Sequence, residues 1–140
     1  MAYDDQNIFA RILRGELPAI KVYEDDQVLA FMDIMPQAEG HTLVIPKDPA
    51  VTLLDLAPEA AAYTIQIVQK VAQAMETALG VKGIVLMQLS GTVAGQTVPH
   101  VHFHLIPTNV HELGKHAATM GDQEKIKAQA ELIKAALAAA

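Results

Sequence analysis

Between Pro99 and Pro107 the chain alternates histidines with apolar residues in the order His100, Val101, His102, Phe103, His104, Leu105. This period of two constrains the fold more than any other feature. A helix would scatter three such imidazoles around its axis, whereas a strand sets them on one face and Val101, Phe103 and Leu105 on the other. The segment Val101–Pro107 therefore reads as a strand with its apolar face on the core and its imidazoles lining a groove. Histidines repeat about every 7 Å along such a strand, a separation that one phosphate group spans. An unperturbed imidazole titrates near pH 6.5, roughly where one face can supply both a neutral nucleophile and charged neighbours. His102 is the candidate nucleophile, provided that a hydrogen bond at its other ring nitrogen fixes the tautomer.

The residues before the triad suit an anion. Ser90 to Gly95 is rich in turn formers, glycines let backbone N–H groups converge, and Thr97 adds a hydroxyl. Gly95 and Thr97 are the candidates for the phosphate end, with Ser90 and Gln96 as further nucleotide-binding candidates. Upstream, Ile20–Glu24 and Val28–Asp33 are β-prone runs around the turn residues Asp25 and Asp26, which predicts a hairpin. His41–Pro46 predicts a third strand and Ile84–Leu89 a strongly apolar fourth. Asp33 ends its strand, where a carboxylate can accept hydrogen bonds from ribose hydroxyls, although an aspartate before Ile34 and Pro36 also suits a plain turn. Asn7–Arg14, closed by Gly15, predicts a short lid or edge helix. Its Ile8, Phe9 and Ile12, with Phe31 and Ile34, are candidates to sandwich a base. From Pro58 to Leu79, Ile65, Val68, Val71, Ala72, Met75 and Leu79 recur at helical spacing, with Pro58 in the first turn and Gly80 as the cap. Asp122–Ala140 has the composition of a terminal helix.

Composition excludes several classes. The 140 residues suit one domain, the triad-bearing core at about residues 7–107 and a C-terminal extension at 108–140. With no cysteine, a disulfide, a thiolate metal site and a thiol nucleophile are all ruled out. A net charge of −6 argues against general nucleic-acid binding. Apolar runs are too short for a membrane span, and the start MAYDDQ lacks signal-peptide character, so a cytoplasmic location is expected.

Three linked motifs, IFARILRGELPAIKVYEDD, AFMDIMPQAEGHTLVIPK and AGQTVPHVHFHLIP, occur in that order. With them the chain resembles the histidine triad (HIT) proteins from about Asn7 to Pro107, and within these the Hint-like nucleoside phosphoramidate hydrolases. The resemblance implies an α+β fold: a five-stranded antiparallel sheet, one long helix, a short N-terminal helix and a C-terminal helix. It implies a homodimer formed largely through the helix beginning near Pro58, and a purine nucleotide substrate carrying an AMP or GMP moiety. It makes His102 the residue that becomes nucleotidylated and His104 a contact to phosphate or an aid to leaving-group protonation. His100 would orient the site, with His41 nearby as a fourth histidine. Asp33 would hold the ribose, Gly95 and Thr97 the phosphate, and Ile8, Phe9, Ile12, Phe31 and Ile34 the base. A histidine at position 104, where transferase relatives typically carry glutamine, favours hydrolysis.

Two departures stand out. Leu89 or Ser90 occupies the place of an asparagine common in relatives. Asn7 and Ala10 stand where some relatives carry the two cysteines that, with two histidines, hold a structural zinc, so neither a structural zinc nor any cofactor is expected. The departure at Leu89 and Ser90 keeps a second reading open, a nucleotide-binding adaptor with negligible catalysis. The H-x-H pattern itself leaves a third, a metal-binding module on His100 and His102. His111 and His116 are given no role.

Overall fold

The computed structural model describes residues 2–113 and 120–139, so His116 and Ala140 fall outside the described residues. Five strands, β1 (Lys21–Glu24), β2 (Val28–Met32), β3 (Thr42–Pro46), β4 (Val85–Met87) and β5 (Phe103–Ile106), form one antiparallel sheet in the order β1-β2-β3-β5-β4. Three helices, α1 (Ile8–Leu13), α2 (Pro58–Leu79) and α3 (Gln123–Ala139), complete the expected α+β architecture. No helix of the described residues is long and apolar enough to cross a membrane.

Both faces of the sheet's centre are covered, and the strand sequences show why. β2 reads Val-Leu-Ala-Phe-Met and is buried at every position, as a strand between two apolar layers must be. Its even residues Val28, Ala30 and Met32 join Val44, Phe103 and Leu105 under α2 and α3. Its odd residues Leu29 and Phe31 join Leu43, Ile45 and Phe9 on the opposite face, beneath α1. β4 is an edge strand, and Leu86 is half exposed.

α2 starts at Pro58 and ends at Gly80, whose φ of 65° is left-handed, as the two residues' backbone preferences require. Its buried stripe is Thr64, Ile67, Val68, Val71, Ala74 and Met75. Ile65, expected on that stripe, is instead 44% exposed, because a neighbour one position from Thr64 turns 100° away and the helix packs on the Thr64 side. α1 is capped by Asn7, whose Oδ1 accepts from the Ala10 N–H at 2.9 Å.

The triad strand is shorter than its alternation suggests. Ladder pairing begins at Phe103, because the Val101 N–H donates to the Ala50 carbonyl at 2.9 Å instead of to a neighbouring strand. His100, in a bend, and His102 thus precede β5 while keeping its alternation: Val101 lies in the core with Phe103 and Leu105, and the imidazoles face the α1 side. The fourth strand is likewise trimmed from the expected Ile84–Leu89 to Val85–Met87.

Candidate active site

Four histidines meet on the α1 side of the sheet. The rings of His102 and His104 are 4.8 Å apart, and those of His104 and His41 5.2 Å apart. The first distance is shorter than the strand repeat because the two side chains lean together, and the second reaches from β5 to the residue just before the neighbouring strand β3. Phe9 packs edge-on against His102 at 4.9 Å and against Phe31 at 5.4 Å.

The partners of each ring assign its proton, since a carbonyl can only accept and a backbone N–H can only donate. His102 Nδ1 is 2.7 Å from its neighbour's carbonyl, that of His100, so the proton sits on Nδ1 and Nε2 keeps its lone pair. His41 Nδ1 accepts from the Gln37 N–H at 3.0 Å, so its proton is on Nε2. That proton is donated to His104 Nδ1 at 3.0 Å, which leaves His104 an Nε2–H donor. The site thus pairs a nitrogen with a free lone pair on His102 with an N–H on His104.

Burial dominates the electrostatics. It pushes His41 down to about 4 and His104 to about 3, with nearby His102 adding to both shifts. His100 and His102 are also lowered, by burial first, against opposing hydrogen bonds to the Pro46 and His100 carbonyls. The charged neighbours expected around His102 are therefore neutral at pH 7, because a buried imidazolium loses its hydration. Asp33 is raised by burial, against the lowering effect of the Met35 N–H that its Oδ1 accepts at 2.8 Å. Its Oδ2 lies 3.5 Å from His41 Nε2. With His41 neutral, that contact is polar and not an ion pair.

A cleft of about 650 Å³ opens over this cluster. Of the residues singled out in the sequence, Ile8, Phe9, Ile12, Phe31, Asp33, Ile34, Thr97, His102 and His104 line it. The remainder stand behind it. His100 and His41 are fully buried supports. Ser90 donates its hydroxyl to Gln88 Oε1 at 2.9 Å. Gln96 is a buried brace: its Oε1 accepts from the Gly91 N–H, and its Nε2 donates to the Val51 and Val98 carbonyls. The backbone N–H groups of Gly95 and Gln96 are taken by the Thr92 and Gly91 carbonyls. Gly95, at a φ of 107°, serves to turn the loop. The structure adds Leu43, Val98 and Met35 to the walls. Leu43 was readable, being two residues from His41 in an alternating strand. The backbone N–H of Gln37 that sets His41 carries no signal in side-chain identity.

Three metal arrangements can be tested against these donors. The zinc position implied by the resemblance does not fit: Ala10 offers no ligand, Asn7 is spent on its cap and on the Asp4 carbonyl, and both nitrogens of His100 are hydrogen-bonded. The same bonds occupy His100 and the Nδ1 of His102 against an H-x-H ion. Among the described residues, Asp33, His41 and His104 bring ligand atoms within 4.8 Å of one another, but there the two imidazoles are already bonded to each other.

A sheet of this order with clustered histidines on its α1 face defines a class, and comparison with known proteins agrees. The HIT domain model matches residues 14–111, and the chain belongs to the HIT family. An uncharacterized HIT-like protein of Methanocaldococcus jannaschii is 44% identical over 100 residues, covering 71% of this chain and 77% of that protein. The adenosine 5'-monophosphoramidase of Schizosaccharomyces pombe is 37% identical over 107 residues, covering 76% and 77%. The crystal structure of a Hit-like protein from Bartonella henselae superposes with a TM-score of 0.89 at 46% identity, covering 97% of this chain and 99% of that one.

Proposed function

We propose that this protein hydrolyses purine nucleoside phosphoramidates or related nucleotides through a nucleotidyl-histidine formed on His102. The observation that carries the reading is the 2.7 Å hydrogen bond from His102 Nδ1–H to the His100 carbonyl. It fixes the tautomer with the Nε2 lone pair available, and burial keeps that nitrogen unprotonated. In the first step Nε2 attacks the α-phosphorus, and the bond from phosphorus to the leaving amine or phosphate breaks. In the second step water attacks the same phosphorus and releases His102. The Nε2–H of His104 donates to a phosphoryl oxygen or towards the leaving group, and the Thr97 hydroxyl supplies a further donor where charge accumulates. Asp33 takes the ribose hydroxyls, and Ile8, Phe9, Ile12, Phe31 and Ile34 enclose the base. A relative named for phosphoramidase activity supports this substrate class.

Rapid quenching of a reaction with adenosine 5'-phosphoramidate, followed by peptide mass spectrometry, tests the proposal. An AMP adduct on His102 is expected. No adduct, together with full activity in His102→Ala, would sink it. Tight AMP binding without any turnover would instead favour the adaptor reading, to which the Ser90–Gln88 bond lends a specific observation, since that hydroxyl is turned from the cleft.

The same proposal includes a homodimer through α2. Ile65 on α2 and Leu86 on the edge strand β4 are exposed apolar residues that pairing would cover. Light scattering should give twice the chain mass for the wild type and a shift towards monomer for Ile65→Glu.

A further inference from the structure

We propose that Tyr3 is a positioning residue for the nucleophile, acting through His100. The inference rests on the reading of His102 given above and extends it to a residue outside the cleft. Tyr3 Oη lies 2.5 Å from His100 Nδ1. Because His100 Nε2 is 2.8 Å from the Pro46 carbonyl, which only accepts, the ring proton is on Nε2 and Nδ1 must receive the tyrosine proton. The two rings stand edge to face, 5.6 Å apart at 70°.

The chain of bonds therefore runs from Tyr3 through His100 to the end of β3. His100 is fully buried, and the tyrosine hydroxyl is the partner its Nδ1 has there. Its backbone carbonyl is the group that holds the His102 proton on Nδ1. Removing the tyrosine hydroxyl orphans a buried acceptor and frees the ring to turn. The carbonyl then loses one of its anchors, and His102 samples the tautomer whose Nε2 carries the proton and cannot attack. Tyr3 touches neither substrate nor phosphorus in this scheme, and the bound nucleotide does not sense its loss directly.

The test compares wild type with Tyr3→Phe, which keeps the ring packing, using adenosine 5'-phosphoramidate turnover, AMP affinity and nitrogen-15 spectra of the histidines. The expected result for Tyr3→Phe is a kcat lower by about tenfold, with KM and AMP affinity within about twofold. The spectra should show His102 changing from one tautomer to a mixture. Unchanged kcat overturns the proposal, as does a lower kcat with His102 still in a single Nδ1–H form. Wild type alone supplies a further check that does not depend on the variant folding, because its spectrum must show His100 protonated on Nε2, and a proton on Nδ1 overturns the proposal. The tautomer readings also stand apart from catalysis: absence of a nucleotide adduct in wild type defeats the reading of His102, whereas the Tyr3 link is judged on the spectra.

Discussion

His41 Nε2 lies 3.0 Å from His104 Nδ1, and the proton between them belongs to His41 because the Gln37 N–H already occupies its other nitrogen. The fourth histidine thereby dictates which nitrogen of His104 can donate into the cleft. His41→Leu leaves His104 Nδ1 without a donor in a buried place, at a cost to stability of about 1–3 kcal/mol. It also frees the proton of His104 to move to Nδ1. A fall in kcat of about tenfold is expected. His41→Gln, whose amide can reach the position of the imidazole Nε2, should recover most of it. Steady-state kinetics on the two variants checks the pair, and equal activity in both would show that the His41 proton is irrelevant.

The depressed histidines give stability a defined pH dependence. A histidine held at about 4 in the fold, as His41 is, and near 6.5 when unfolded has no effect where both states are neutral. As pH falls below about 6.5 the unfolded chain binds the proton first, so stability declines until the folded value is reached. For His41 alone the loss is about 3 kcal/mol at 1.36 kcal/mol per pH unit, and His104, at about 3, acts in the same direction. Asp33 works oppositely, because its raised value means that the fold takes up that proton before the unfolded chain does, offsetting part of the loss at the acid end. Urea midpoints should be flat from pH 7 to 8 and fall steadily between pH 6.5 and 4. Activity follows a parallel logic. With His102 lowered, kcat/KM should hold a plateau through neutral pH and decline only below about 6.5, on protonation of the nucleophile proposed at His102.

Much of this site is legible because strand alternation is a strict rule. The side-chain period of two places His102 and His104 together and sends Val101 and Phe103 to the core without knowledge of the rest of the fold. The apolar cleft walls come from residues that also serve as core, so periodicity alone could not separate the roles of Phe9 and Phe31. Tertiary partners decided the remainder. Gln96 looked like part of an anion loop, yet its amide faces inward because three backbone groups need it. Ile65 matched the helical spacing but lies exposed, since the stripe's centre depends on where the sheet sits. Tyr3 gave no signal, because its partner is 97 residues away.

Gln96 should prove a structural residue whose loss reaches the cleft indirectly. Its side chain satisfies the Gly91 N–H at 2.8 Å and the Val51 and Val98 carbonyls at 2.7 and 3.0 Å, from a position only 7% exposed. Gln96→Ala leaves these groups unpaired and is expected to cost about 2–3 kcal/mol. Thr97 and Val98 follow directly in the chain, so KM for nucleotide should rise as well. Gln96→Glu can still accept from Gly91 but sets a carboxylate against two carbonyls, and it should be no better than alanine. Chemical denaturation with parallel KM measurement checks this, and an alanine variant with wild-type stability would refute the brace.

Gly40 offers a test of how the long helix supports the site. It immediately precedes His41, with a φ of 87°, and a Cβ there would lie 2.6 Å from Leu79 Cδ1 and 3.2 Å from Pro107 Cγ. Gly15 has a similar φ of 80° with nothing within 4 Å, so the two alanine variants share the backbone strain and differ in the clash. Gly15→Ala should cost about 1 kcal/mol, the strain alone. Gly40→Ala should cost about 2–4 kcal/mol, since the last turn of α2 or the loop must move as well. If the loop moves, His41 moves with it and its bond to His104 lengthens, so kcat should fall in Gly40→Ala and not in Gly15→Ala. Equal stabilities for the two variants would mean that Leu79 yields freely, and that the end of α2 does not hold His41 in place.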